Sequence, residues 1–277
     1  MNNIPYIFFG TPRFAQIVLS ELCEKGLAPT HVVCNPDRPQ GRSGVITPPP
    51  VKEYAHKQGI SVLQPENSQE LFDMLSELSI SYGVVAAYSM IIPSSVLSLF
   101  KAVLGVHPSL LPLYRGSSPI QYALLDGVKT TGVSIYLLDE KMDHGPVIAS
   151  EEVLVTDTDT YSSLEEKLAR QGGSLLASSF PVYVEGSLVP QEQNHEDATY
   201  TKKIHTDDGY VDLKKDDPED VYRKIRALYP EPGVYTVIEG KRTKLLLAHR
   251  EEKGIVIDAI LPEGKRERKV CIELWEE

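Results

Sequence analysis

One stretch of the sequence, residues 103–116, constrains the fold more than any other. It begins as a short apolar run that ends at His107 and then turns abruptly through Pro108 and Pro112. An apolar run that stops at turn-forming residues is typical of a buried strand leading into a rigid loop. Ligands of open α/β sheets bind outside the carboxyl ends of the strands, so His107 stands where a titratable side chain can take part in chemistry.

A second polar cluster follows the next strand-like run. Residues 131–138 are mostly apolar, and Asp139, Asp143 and His144 come soon after them. If the fold brings Asp143 beside His107, the carboxylate would fix the tautomer of the imidazole ring. Two plainer interpretations stay open, namely that His107 is an ordinary hydrogen-bonded loop residue and that Asp143 is a turn former.

The beginning of the chain predicts a doubly wound α/β sheet. A strand over residues 4–9, a helix over 14–26 and a strand over 31–34 follow one another, which is the order of elements in such a sheet. A dinucleotide-binding fingerprint would require three glycines after the first strand, and Gly10 stands there alone. We therefore expect no dinucleotide cofactor.

The later part of the chain predicts a mixed sheet and then a second domain. Strands over 131–138 and 146–153 flank the Asp143 loop like a hairpin, so they are expected to run in opposite directions. Residues 185–206 are polar and only weakly periodic, as interdomain linkers are. We predict a catalytic domain at 1–184, a linker at 185–206 and a C-terminal β domain at 207–277.

Charge narrows the possible partners. The 277 residues carry a formal net charge of −11, which argues against generic nucleic-acid binding. Residues 221–270, in contrast, hold 12 Lys and Arg against 7 Asp and Glu. A basic segment attached to an acidic body can supply a local phosphate-binding face, although an ordinary solvated surface fits the same count.

Neither a membrane nor a metal is indicated by the composition. No apolar run approaches the roughly 20 residues that span a bilayer, and the first residues lack the basic start of a signal peptide. The three cysteines are scattered without a CxxC spacing, so neither a disulfide nor a zinc site is expected. We expect a cytoplasmic monomer that binds no membrane and no metal.

Two long segments and three shorter stretches carry a family resemblance. The long segments are HPSLLPLYRGSSPIQYALLDG and, downstream, TGVSIYLLDEKMDHGPV. They resemble the folate-dependent formyltransferases, whose signature is Asn-x-His-x-Ser-Leu-Leu-Pro followed by Asp-x-Gly. The stretches at 8–15, 34–55 and 86–97 resemble the members of that family that act on methionyl-tRNA. The resemblance implies an α/β fold with a Rossmann-like, mostly parallel but mixed sheet, followed by a small, trimmed β-barrel-like C-terminal domain.

The resemblance also implies a reaction. It is formyl transfer from 10-formyltetrahydrofolate to the α-amine of methionyl-tRNA, which makes tRNA and a reduced folate the partners. In that scheme His107 stabilises the tetrahedral oxyanion or protonates the leaving nitrogen, while Asp143 orients His107 and takes up the amine proton. An amino-sugar or glycinamide-ribonucleotide formyltransferase shares the His and Asp motif and stays an alternative.

Binding residues are implied in the same way. Arg42, in a long loop rich in proline and glycine, corresponds to an arginine of the family that contacts the tRNA acceptor end. The residues expected to line the folate pocket are Met90, Ile92, Ser109, Leu110, Leu111 and Pro112. Met90 and Ile92 could equally be plain core, because an apolar run before a proline is common in protein interiors.

Gly105 departs from the signature, since the family has Asn at this position. The family's amide is implied to donate to the developing oxyanion, and losing such a donor typically costs a factor of about 10² to 10³ in rate. Either an ordered water or a neighbouring N–H compensates at Gly105, or the chain is a catalytically impaired folate- or tRNA-binding homologue. His107, Asp143 and the loop 109–112 keep the expected spacing, so we expect an active enzyme and little or no gain from Gly105→Asn.

Overall fold

The computed structural model describes residues 4–40 and 44–275, whose contacts divide them into two compact units. The first unit contains the residues up to Arg115, Gly132–Val153 and Glu165–Thr199. The second contains Gly116–Thr131, Leu154–Leu164 and the residues from Tyr200 onwards. Two segments that precede the predicted linker thus belong to the second unit, and the domain boundaries at 184 and 207 stay a prediction.

The described residues form fifteen strands and seven α-helices, and the predicted strand, helix and strand at the start of the chain are among them. The strands are β1 (Tyr6–Gly10), β2 (His31–Val33), β3 (Arg38–Gln40), β4 (Val45–Thr47), β5 (Ser61–Leu63), β6 (Tyr82–Ala86), β7 (Ala102–His107), β8 (Arg115–Gly116), β9 (Thr130–Leu137), β10 (Val147–Leu154), β11 (Tyr200–Thr201), β12 (Val234–Ile238), β13 (Lys241–Glu251), β14 (Gly254–Pro262) and β15 (Arg268–Trp275). The helices are α1 (Arg13–Glu24), α2 (Pro50–Lys57), α3 (Ser68–Ser76), α4 (Ser94–Leu97), α5 (Pro119–Leu125), α6 (Tyr161–Val184) and α7 (Pro218–Leu228). No helix in this described part of the chain is long and apolar enough to span a membrane.

A mixed seven-stranded sheet forms the centre of the first unit, in the order β10-β9-β7-β6-β1-β2-β5. β1 pairs in parallel with β2 and β6, and β7 joins β6 in parallel, whereas β9 runs antiparallel to β7. The predicted mixed, mostly parallel sheet is therefore confirmed. Because β1, β6 and β7 run in the same direction, their carboxyl ends meet at the edge of the sheet where His107 ends β7.

Alternate residues of β1 face opposite layers of the first unit. Tyr6 packs edge-to-face against Phe180 of α6, with 5.4 Å between the ring centroids. Ile7 and Phe9 point the other way and belong to an apolar cluster that includes Leu71 of α3. Both faces of the strand are thus covered, which explains why β1 is apolar and buried along its whole length.

The loop predicted over residues 35–50 contains local structure that the sequence does not predict. β3 and β4 pair antiparallel there, with Arg38 opposite Thr47 and Gln40 opposite Val45. Lys52 holds the segment before β3 through contacts of 2.8 Å from Nζ to Asp37 Oδ2 and 2.6 Å to Gln64 Oε1. Arg42 lies between the two strands, outside the described residues.

Helix α7 and an antiparallel sheet make up most of the second unit. The sheet has the order β12-β13-β14-β15, and each strand pairs antiparallel with the next. α7 begins after Asp217, whose side chain accepts hydrogen bonds from the first turn, and Pro218 occupies a helix position that suits proline. One face of α7 packs against α5. The predicted C-terminal β domain is confirmed as a four-stranded antiparallel sheet.

Candidate active site

His107 ends β7 with only 6% of its surface exposed. Its Nε2 atom lies 2.9 Å from the carbonyl oxygen of Tyr114. A carbonyl oxygen can only accept a hydrogen bond, so this contact assigns a proton to Nε2. In the neutral ring Nδ1 then bears a lone pair, and Nδ1 is the nitrogen that faces Asp143.

Asp143 lies in the turn after β9 and is largely buried. Its Oδ1 atom is 3.7 Å from His107 Nδ1. The backbone of Asp143 has φ 51°, in the left-handed region that Asp and Asn adopt more readily than most side chains. Gln193 holds this backbone, because its Nε2 donates to Asp143 O at 3.0 Å and to Gly145 O at 2.7 Å. The structure thus places the two residues of the predicted catalytic pair side by side.

Buried Arg115 and Gln193 support that turn. Arg115, 1% exposed, donates through Nη2 to Gln193 Oε1 at 2.6 Å, and the same Nη2 lies 2.9 Å from His195 Nδ1. The His195 ring stacks on His144 with 4.0 Å between centroids. Desolvation and the neighbouring His144 and Arg115 lower the pKa of His195, which favours the neutral ring that can accept from Arg115. Gln193 and His195 fall in the predicted linker, where no local sequence signal marks them as part of a site.

The loop after β7 is anchored by Ser134 of β9. The Ser134 hydroxyl donates to Ser109 O at 2.8 Å and accepts from Leu111 N at 3.0 Å. The Ser109 hydroxyl donates within the loop, to Leu113 O at 2.5 Å. Ser109 has no exposed surface and uses its polar atoms internally, so its side chain fixes the shape of the loop.

The other residues predicted to contact folate differ in exposure. Leu110 packs over Gly132, where an added Cβ would lie 2.8 Å from Leu110 Cγ. Leu111 and Pro112 are half-buried, so part of each side chain can meet a ligand. Met90 and Ile92 are also half-buried and pack against the apolar cluster that contains Phe9, which agrees with the core interpretation for their inner surfaces.

Gly105 lies two residues before His107 and pairs with Tyr136 across the β7–β9 ladder. Its φ is not among the left-handed values of the described glycines, so backbone conformation does not require glycine here. The available space requires glycine here, because an added Cβ would lie 2.6 Å from Tyr136 Cζ and 2.9 Å from Leu138 Cδ1. The Tyr136 ring therefore occupies the volume that a side chain at residue 105 would need.

Tyr136 also contacts the predicted catalytic carboxylate. Its hydroxyl donates to Asp143 Oδ1 at 2.7 Å. Burial raises the pKa of Tyr136 well above its ordinary value, and the charge of Asp143 raises it further, so the hydroxyl keeps its proton at neutral pH. Tyr136 has no signal in the sequence, because neither the pairing of β7 with β9 nor its register follows from the order of the elements.

The chain matches known formyltransferases along most of its length. Residues 2–179 match the formyl transferase family, and residues 203–259 match the formyl transferase C-terminal domain. The chain belongs to the formyltransferase family. The methionyl-tRNA formyltransferase of Bacillus licheniformis is 40% identical over 247 residues, which cover 88% of this chain and 78% of that relative.

Two solved structures share the fold. A methionyl-tRNA formyltransferase from Clostridium thermocellum aligns with a TM-score of 0.63 at 19% identity, over 94% of this chain and 98% of that one. HypX from Aquifex aeolicus, in complex with tetrahydrofolic acid, aligns with a TM-score of 0.68 at 17% identity, over 98% of this chain and 46% of that one. At these identities the likeness concerns the fold alone, which is the predicted one.

Proposed function

We propose that this chain transfers a formyl group from 10-formyltetrahydrofolate to the α-amine of methionyl-tRNA, as a monomer in the cytoplasm. The observation that carries the proposal is the buried pair at the carboxyl end of β7, with His107 Nδ1 3.7 Å from Asp143 Oδ1. The 40% identity to the Bacillus licheniformis enzyme supports methionyl-tRNA as the acceptor. The tetrahydrofolic acid bound to HypX supports a folate as the donor.

The reaction moves one proton from the attacking amine to the nitrogen that leaves. The folate supplies an electrophilic formyl carbon bound to nitrogen. His107 Nδ1 and Asp143 Oδ1 are the two basic atoms of the pair, and through them the proton passes from the attacking amine to the leaving nitrogen. The Tyr114 carbonyl keeps Nε2 protonated, so the ring cannot turn its other nitrogen to the carboxylate without losing a 2.9 Å hydrogen bond. General acid–base catalysis of this kind contributes about 10² to 10⁴ in rate.

The donor folate fits the apolar side chains beside this pair. Met90 and Ile92 present their outer surfaces, and Leu111 and Pro112 line the loop after β7, all four half-buried. Partly exposed apolar side chains next to a few fixed polar groups are what a planar, partly polar ligand requires. Ser109 and Leu110 act indirectly, by holding the loop in shape.

The β3–β4 hairpin supports a macromolecular acceptor. Its side chains Val45 and Ile46 are 61% and 67% exposed, so they offer apolar surface to a partner. The segment before it is held by the contacts of Lys52 with Asp37 and Gln64. Exposed apolar side chains on a held hairpin suit contact with the end of a tRNA, and Arg42 supplies a cation for its phosphates.

A steady-state assay tests the proposed acceptor. With 10-formyltetrahydrofolate as donor, we expect kcat/KM for methionyl-tRNA to exceed that for a nucleotide-linked amino sugar or for glycinamide ribonucleotide by at least about a hundredfold. The reason is that neither small acceptor reaches the hairpin. A preference for either small acceptor would assign the chain to the other branch of the family. No turnover of any of the three would identify an impaired homologue.

A basic and aromatic face on the second unit is the proposed contact for the body of the tRNA. Arg242 and Lys244 alternate with buried residues of β13, and the Arg242 guanidinium lies 3.6 Å from the ring centroid of Tyr235. Tyr210 lies beside Tyr235, with 5.7 Å between centroids. Cations interleaved with aromatic rings bind phosphates and bases together.

Removing the two cations of this face should weaken tRNA binding and its salt dependence. In the variant Arg242→Ser with Lys244→Ser, we expect the slope of log K against log salt to become shallower by about 1.5, as for two lost phosphate contacts. The matched control is Lys25→Ser with Lys57→Ser, which removes two exposed lysines from the first unit and should leave the slope unchanged. Equal slopes in both double variants would make the face an ordinary solvated surface. Truncation is a poorer test, because it would also strip α5 of its contact with α7.

A further inference from the structure

Tyr136 contacts two features of the site, the glycine at residue 105 and the carboxylate of Asp143. We propose that Tyr136 is a positioning residue whose ring fills the space left by Gly105 and whose hydroxyl holds the Asp143 carboxylate toward His107. This inference rests on the proposed formyl transfer, in which His107 and Asp143 hold the transferred proton.

The ring of Tyr136 is placed by the register of two strands. Gly105 pairs with Tyr136 and His107 with Ser134, so these four residues stand on one face of the β7–β9 ladder. The Tyr136 ring meets the His107 ring edge-to-face, at 6.4 Å between centroids and 86° between planes. It can lie there only because residue 105 has no Cβ, since that atom would be 2.6 Å from the phenol carbon Cζ.

The hydroxyl of Tyr136 selects the carboxylate oxygen that faces the histidine. It donates to Asp143 Oδ1 at 2.7 Å, and the same Oδ1 is the atom 3.7 Å from His107 Nδ1. Gln193 meanwhile holds the backbone carbonyl of Asp143. Asp143 is therefore fixed at both its backbone and its side chain, which leaves the carboxylate one orientation toward the ring.

The hydroxyl also donates to a group that carries charge. A hydrogen bond donated to a carboxylate stabilises its charged form, and Tyr136→Phe removes that bond. Titratable and charged groups reach the pair from β9, from the Asp143 turn and from Arg115. Tyr136 contacts Asp143 directly, and the charge of Asp139 acts on Tyr136. His144 lies 2.7 Å from Asp139, and buried Arg115 is linked to Asp143 through Gln193.

Tyr136→Phe tests the proposal because it keeps the ring and removes only the hydroxyl. We expect kcat/KM for formyl transfer to fall by about tenfold or more, and the acid limb of its pH profile to move to higher pH by about one unit. The control Tyr6→Phe also removes a buried hydroxyl, the one bonded to Leu27 O, and should lower Tm while leaving the limb in place. A Tyr136→Phe enzyme whose limb stays at the wild-type pH would overturn the proposal.

A measurement without turnover separates this inference from the proposed function. The imidazole of His107, assigned by comparison with His107→Gln, can be titrated by NMR in the wild type and in Tyr136→Phe. We expect its midpoint to lie at higher pH in Tyr136→Phe, because the carboxylate beside it then lacks the hydrogen bond from Tyr136. If the wild type fails to formylate methionyl-tRNA, the proposed function is lost while this titration still decides on Tyr136. Coincident midpoints would refute the positioning role.

Discussion

Replacing His107 by glutamine is expected to lower kcat/KM for formyl transfer by about 10² to 10⁴ while the chain stays folded. The glutamine amide can still donate to the Tyr114 carbonyl, but it cannot take up a proton at the position of Nδ1. Alanine is a poorer choice, because His107 is buried and its loss would leave both a cavity and an unpaired carbonyl. Initial rates give kcat/KM, and thermal melting shows whether the chain is folded. Both are measured on the same preparation.

For Asp143→Asn we likewise expect a lower kcat/KM for formyl transfer in a chain that stays folded. Asparagine tolerates the φ of 51°, whereas alanine would add strain of about 1–2 kcal/mol. It also keeps an oxygen that can accept from Tyr136 while the charge is lost. A matched control is His56→Gln in α2, an exposed histidine, which should change neither rate nor melting. If the variants at His107 and Asp143 lose folding in parallel with activity, His107 is an ordinary hydrogen-bonded loop residue and Asp143 is a turn former.

Installing the side chain that the resemblance implies at this position, by Gly105→Asn, should lower both stability and activity. The sequence predicts little or no gain from this change, and the structure makes the expected outcome a loss. The new Cβ would meet the Tyr136 ring and Leu138 at distances below van der Waals contact, and overpacking of this kind typically costs about 1–3 kcal/mol. Displacing the ring also takes the hydroxyl away from Asp143. We expect a lower Tm and a fall in kcat of about tenfold or more, if the hydroxyl is worth what charge-assisted hydrogen bonds usually are.

A second substitution should relieve the clash. Tyr136→Ala combined with Gly105→Asn makes room for the asparagine, so the double variant should be more stable than the sum of the two single effects predicts. Gly59→Asn is the control for steric room, because nothing lies within 4 Å of an added Cβ there. Its φ of 70° lies in the left-handed region, which Asn adopts more readily than most residues, so a cost measured there is backbone strain and not a clash. Strict additivity of the two changes in unfolding free energy would show that residues 105 and 136 are not coupled.

The fold was largely predictable because its elements are marked locally. β1 is an unbroken apolar run, and α7 begins at an Asp-Pro pair that both caps and starts a helix. The proposed catalytic pair was predictable in kind, since a histidine at a strand end and an acidic turn after the next strand are also local features. The β3–β4 hairpin was missed because its proline and glycine content indicates loop.

The support of the site was not predictable, because it depends on contacts between distant segments. Tyr136 reads as one more apolar strand residue until the β7–β9 register sets it opposite Gly105. Gln193 reads as linker, yet it reaches back to Asp143 and Gly145. Side-chain contacts of this kind follow from register and chain reversal, which composition and periodicity do not encode.

The contact between α5 and α7 has a consequence for synthesis of the chain. α5 ends at Leu125, and its partner does not begin until Pro218. At roughly 5–20 residues per second, a ribosome needs on the order of 5–20 s to make the intervening chain. During that interval α5, whose Ile120, Ala123 and Leu124 are buried in the finished protein, lacks its contact with α7. The growing chain therefore carries α5 for some seconds before α7 is made. We expect a chaperone that binds apolar segments to protect the chain most during this interval.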